Sequence, residues 1–160
     1  MIRFRAPVRR DGDRFVVGLS DDEADLVLRL LSELRELLGM EPPSPLVERL
    51  FPVVHRDDPE QEAEYQRWMR PELVQSKLTA IATIEAALLG DGVLDEGGLM
   101  AFMQGVNSVR LVLGVMLDIT DDVDEDGEDE DDDPDSDSYE HQLYTYLSWL
   151  LEWSVRAVNA

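Results

Sequence analysis

The sequence predicts a mainly α protein: a helical bundle of about five to six helices with an N-terminal β-hairpin and a disordered acidic insertion. Three observations carry this expectation. Apolar residues recur at three- and four-residue steps behind recognisable helix caps. An Asp-Gly pair sits between two short β-prone runs near the N-terminus. Thirteen of the 18 positions from 121 to 138 are Asp or Glu, a composition that buries too little apolar surface to fold. With 160 residues, 44% of them apolar, one domain spanning 1–160 is the default. Its expected parts are a β-hairpin at 1–19, a helical core at 20–118, the acidic insertion at 119–138 and a C-terminal helix at 139–159.

The hairpin is expected from Ile2 to Val8 and from Arg14 to Leu19, turning at Asp11-Gly12, a dipeptide suited to positive φ. Pro7 marks the first strand as an edge. Ser20-Asp21-Asp22-Glu23 reads as a capping box, in which the Ser hydroxyl and the Glu carboxylate satisfy free amides at a helix start. The helix it opens runs to Leu38 and stops at Gly39. Ala24, Val27, Leu28, Leu31, Leu34 and Leu38 form its apolar stripe.

Ser44-Pro45 opens a short helix through Phe51, and Pro52 closes it. Asp58-Pro59 starts the next helix, with a kink or break expected at Arg70-Pro71 and a second helix from there to about Leu89. Gly90-Asp91-Gly92 reads as a turn and Asp95 as the cap of a helix from Glu96 to Leu117, despite four internal glycines. Tyr139 to Val158 is the last helix, with Leu143, Leu147, Leu150, Ser154 and Val158 on one line.

The formal charge is −22, and without the 13 acidic residues of the insertion it is −9. An acidic body opposes non-specific attraction to DNA phosphates or anionic lipid. Five of the 14 basic residues, Arg3, Arg5, Arg9, Arg10 and Arg14, fall in the first 14 positions, so any phosphate contact is expected there. No apolar run reaches the length of about 18 residues that a membrane span requires. No signal peptide follows the basic N-terminus, and a cytoplasmic location is the expectation. There is no cysteine, so no disulfide contributes to the fold.

Three constellations merit weighing. Asn107, Arg110 and Gly114 lie within about 60° of one another on the Glu96 helix, at the edge of the seam formed by Leu99, Val106, Leu113 and Leu117. They read either as structural, with Arg110 paired to a carboxylate of a neighbouring helix, or as a partner-binding polar site. Tyr146, Trp149 and Trp153, with Tyr139, form a second stripe on the last helix, suited to core packing or to an interface with a partner or a second copy of the chain. Asp122, Asp124, Asp126, Gly127 and Asp133 follow the spacing of an EF-hand loop, but position eight is Asp129, position twelve is not Glu, and Pro134 follows at once. A solvated spacer explains that run better. No Gly-rich phosphate loop, nucleophile elbow or zinc-protease motif is present. His55 and His141 alone do not make a metal site. The residues therefore give no expectation of a catalytic centre, metal or cofactor.

Three segments together resemble the AosR-like family of actinobacterial regulators. They are the hairpin feeding Leu19 to Leu38; Pro-Leu-Val-Glu-Arg-Leu-Phe-Pro at 45–52 with Asp57-Asp58-Pro59-Glu60 behind it; and Gly-Val-Asn-Ser-Val-Arg-Leu-Val-Leu-Gly at 105–114. The last is similar to the family's Leu-Asn-x-x-Arg-Leu-x-Leu-Gly stretch. The resemblance implies a non-enzymatic transcription regulator linked to oxidative stress, acting through a protein partner such as a sigma factor or RNA polymerase. Family members that sense oxidants use a Cys-x-x-x-Cys pair, and a thiol switch cannot operate in a chain without cysteine. The alternative reading is a regulator that binds DNA directly through the Arg-rich hairpin. Salt dependence of a mobility shift separates the two.

Overall fold

The computed structural model describes residues 5–117 and 138–160. The EF-hand-like spacing, Arg3 and the acidic run up to residue 137 lie outside the described residues. In chain order the elements are β1 (Val8–Asp11), β2 (Arg14–Val17), α1 (Asp21–Leu38), a 3-10 helix (Pro45–Leu50), α2 (Pro59–Leu89), β3 (Val93–Leu94), α3 (Glu96–Met116) and α4 (Tyr139–Val158). The protein is mostly helical with an N-terminal hairpin, as the sequence predicts.

The hairpin differs from expectation in register. β1 begins at Val8, where the first strand was expected to end, and the two-residue turn is Gly12-Asp13. Asp11 pairs with Arg14 and Val8 with Val17, so a two-residue loop fixes which residues face each other. Gly12 takes φ +63 in that turn. A third strand, which no alternation in the sequence announces, adds β3 to the other side of β2, giving the order β1-β2-β3. Its approach depends on Gly92, at φ +74. The Gly92 carbonyl accepts from the Val17 amide at 2.8 Å, and a Cβ at Gly92 would lie 2.6 Å from the Val17 carbonyl oxygen. Val8, Phe15, Val17 and Leu94 are buried on the inner face of this sheet.

The helix starts follow their caps. Ser20 and Glu23 form both bonds of the capping box, while Ser44, Asp58, Asp95 and Ser138 each accept from an amide of the first turn. The expected interruption at Pro71 does not occur: α2 is one helix of 31 residues that continues through it. A proline inside a helix removes one backbone bond and costs about 3 kcal/mol, so the helix must be anchored on both sides. On the C-terminal side Ala80, Ile81 and Ile84 are buried. On the other, the Arg70 guanidinium stacks 3.9 Å over the Phe51 ring. The Glu62 carboxylate there accepts from the Val54 and His55 amides at 3.1 and 2.7 Å, and His55 packs edge-on against Tyr65.

The core runs along α3, which touches α1, α2, α4, the 3-10 helix and the sheet. Leu99, Phe102, Val106, Val109, Val112 and Leu113 are buried on it. α3 is also the one described helix long and apolar enough to cross a membrane, and half of its apolar window is buried against the other elements. Arg35 of α1 pairs with Glu85 of α2 through both carboxylate oxygens. The buried hydroxyls of Ser108 and Ser154 donate to carbonyls one turn back, at 2.9 and 2.8 Å. No buried side-chain polar atom among the described residues lacks a partner.

Gly105 sets the spacing of α2 and α3, because a Cβ there would stand 2.3 Å from Ile84 Cδ1. Gly105→Ala is expected to destabilise by about 1–3 kcal/mol through overpacking, a net loss despite the gain of roughly 1 kcal/mol in helix propensity. Ile84→Val removes the opposing methyl, so Gly105→Ala in that background should cost far less. Urea denaturation of the four proteins checks this, and simple addition of the two losses would show that the contact does not set the spacing.

Candidate functional site

The edge of α3 singled out by its spacing carries Asn107, Arg110 and Gly114, but their partners differ from expectation. Among the described residues Arg110 meets no carboxylate. Its Nε and Nη2 donate to Asn107 Oδ1 at 3.3 and 2.9 Å, and its guanidinium lies 5.7 Å from the centre of the Tyr144 ring on α4. Gly114 admits a side chain rather than a helix backbone. A Cβ there would meet Arg49 Nη1 at 3.0 Å and Tyr144 Cε2 at 3.7 Å. Arg49 comes from the 3-10 helix and was not singled out in the sequence. At three residues per turn, Val47 and Leu50 share the row that is buried, and Leu46 and Arg49 share the next. That period would have been the signal, but it is too short to read in six residues.

The candidate phosphate-binding arginines are divided by the hairpin. Arg9 and Arg14 point to the outer face together with Asp11, by strand alternation. Arg10 is on the inner side, donating to the carbonyls of Gly12, Val158 and Ala160 and lying over Phe15. Arg5 and Arg9 line a hollow of about 270 Å³ whose walls also include Asp21 and Asp91. A continuous basic strip is therefore not formed by these described residues.

The aromatic stripe of α4 is partly used within the chain. Tyr146, Trp149 and Trp153 are half-buried against the core. The Tyr146 hydroxyl donates to Glu23 Oε2 at 2.7 Å, tying α4 to the first turn of α1. Its ring lies 5.9 Å from that of Trp149. Arg156 stands 4.9 Å over Trp153. Burial pulls the Glu23 carboxyl upward, but its bonds from Tyr146 and from the Ser20 side chain and backbone outweigh this and leave it below the usual glutamate value. Burial, then the Glu23 bond and charge, push the Tyr146 hydroxyl well up.

A second surface lies between α2 and α3. It is an open groove of about 740 Å³ lined by Gln75, Ser76, Thr79, Gly98, Met100 and Gln104 among others, with Glu72 and Asp95 as its charged groups. Met100 is 44% exposed within it. Trp68 is 69% exposed and stands one helical turn before Glu72 on the α2 stripe formed by 68, 72, 75 and 79. The sequence hid this groove because its walls are small and polar residues, which read as a wet helix face. Among the described residues, no three His, Asp or Glu side chains converge to hold a metal.

The arrangement defines a mainly α domain, capped by a three-stranded sheet, whose polar groups gather on open surfaces. The chain belongs to the family described as "Domain of unknown function (DUF2017)", whose sequence profile matches residues 1–158. No curated protein and no solved structure matches it.

The Glu23 contacts give a pH prediction. Because its folded-state pKa lies below the unfolded value of 4.5, its contribution to stability is full above that value and is lost as pH falls through the folded pKa. Tyr146→Phe should cost about 1 kcal/mol at neutral pH, the charge-assisted bond being discounted for partial exposure. It should also flatten the loss of stability below pH 4.5. Thermal melts across that range test both, and an unchanged acid slope in the variant would remove Tyr146 from the explanation.

Proposed function

We propose that the chain is a non-enzymatic, cytoplasmic regulatory protein that acts by docking a protein partner. The resemblance to AosR-type regulators points to a sigma factor or an RNA polymerase subunit as that partner. The observation that supports docking is the α2–α3 groove with Trp68 and Met100 exposed beside it. An exposed tryptophan keeps a large apolar surface in water and gains much when a partner covers it, which is why Trp is enriched among residues that dominate binding energy. The small side chains of Ser76, Ala80, Gly97, Gly98 and Ala101 along the groove leave room for a partner backbone to approach closely. Glu72 and Asp95, without a Lys or Arg among the lining residues, favour a segment with basic or neutral polar side chains.

Direct DNA binding by the hairpin is the weaker reading. Arg10 is engaged with the C-terminal carbonyls, and Asp11, Asp21 and Asp91 stand among the remaining arginines.

Purified RNA polymerase, with and without its sigma factors, is the probe for this reading. Biolayer interferometry with the immobilised chain should show saturable binding that Trp68→Ala weakens about tenfold or more while its melting temperature stays at the wild-type value. Absence of binding, or equal binding by the variant, overturns the proposal. A mobility shift on promoter DNA that disappears on neutralising Arg5, Arg9 and Arg14 would favour the hairpin instead.

A further inference from the structure

Arg49 reaches the missing Cβ of Gly114, which lies 3.7 Å from Tyr144, and Arg110 stands over the Tyr144 ring; among the described residues neither has an acidic counterpart. The two ion pairs among the described residues are Arg35–Glu85 and Arg156–Glu152. Arg49 donates no hydrogen bond to a described residue, although its Nη1 lies 3.0 Å from the point where a Cβ of Gly114 would be. Arg110 commits Nε and Nη2 to Asn107 and leaves Nη1. Asn107 has its oxygen occupied by Arg110, so its amide nitrogen still carries two donors. The Tyr144 hydroxyl has no partner among the described residues.

This is unusual for this chain. Among the described residues carboxylates outnumber basic residues by 22 to 13, so an arginine placed without purpose would be expected to meet one. Instead, two half-buried cations and an amide lie around Gly114 and Tyr144, where the described residues supply donors and no free acceptor except a phenol. Like charges near one another repel, and partial burial strengthens that repulsion. Gly114 leaves room for the arrangement, since a Cβ there would crowd Arg49 Nη1 at 3.0 Å while meeting Tyr144 at ordinary contact distance. A guanidinium held against an aromatic wall is preorganised and presents its remaining N–H groups in a fixed plane.

We propose that Arg49, Asn107, Arg110 and Tyr144 form a binding site for a single oxyanion group, a carboxylate or a phosphate. Guanidinium groups match both by paired N–H donation. The site lies towards the C-terminal end of α3, against the 3-10 helix and α4, and its lining shares no residue with the α2–α3 groove. It therefore stands independently of the partner-docking proposal. A phosphate would carry up to two charges to the site and a carboxylate one, which gives the two sources different expected strengths.

Isothermal titration calorimetry of the full chain at low ionic strength tests this, with inorganic phosphate in one arm and acetate in the other and sodium chloride as the ionic control. Saturable millimolar binding of phosphate is expected, with acetate weaker if the site is made for phosphate and comparable if it is made for a carboxylate. Arg49→Gln and Arg110→Gln should each weaken the better ligand at least fivefold, and Arg14→Gln should leave it unchanged. Gly114→Ala keeps both charges and should still weaken binding, because it displaces Arg49. If Arg110→Gln does not fold, Arg49→Gln and Gly114→Ala decide the matter. No saturable heat with either anion, or equal weakening by Arg14→Gln, overturns the site.

Discussion

The contact of Ile84 with the bare backbone of Gly105 is the constraint on which the rest of the molecule depends. It draws α2 and α3 together until one side chain fills the space of another's missing Cβ. Dense packing at that point leaves α3 at the centre, where it can serve as a wall for α1, α4, the 3-10 helix and the sheet together. Both the groove and the arginine cluster are set by that placement. The groove lies between α2 and α3, and the arginine cluster lies where α4 and the 3-10 helix meet the far end of α3.

Much of this frame was legible from local chemistry. α1 and α4 have the bounds that their caps and stripes predict, and α3 falls one residue short of its expected end, because Ser20, Asp95 and Ser138 each satisfy first-turn amides and the apolar period continues unbroken behind them. What could not be read depends on distant partners. Pro71 looked like a boundary because its local cost is real; only Phe51 under Arg70 and the buried Ile81 and Ile84 explain why α2 continues. β3 is two residues long, and its pairing with β2 comes from a Gly92 carbonyl that bonds to Val17. The polar edge of α3 was visible as a spacing, but Arg49 and Tyr144, which complete it, come from two other elements.

Electrostatics work on two scales here. The summed charge of −22 sets a field that keeps polyanions at a distance, and salt screens this over about 10 Å. Within that distance the neighbours of a group matter more than the total. The hairpin arginines stand beside aspartates and are locally balanced, whereas Arg49 and Arg110 meet no carboxylate among the described residues. The same contrast holds for the aromatic residues. Tyr146 is fastened to Glu23, while Trp68 remains 69% open to solvent. The groups left uncompensated, rather than the most numerous ones, mark the surfaces of interest.

The clasp between Arg10 and the carbonyls of Val158 and Ala160 joins residues about 150 positions apart. α4 rests on β1 as well as on α3, so a helix far along the sequence completes the seating of a strand near its start. Contacts of such long sequence separation must be reached through a large loss of chain entropy, and they slow folding relative to the nearby α2–α3 pairing. The hairpin can turn early on its own two-residue loop, but it gains its support only when α4 arrives.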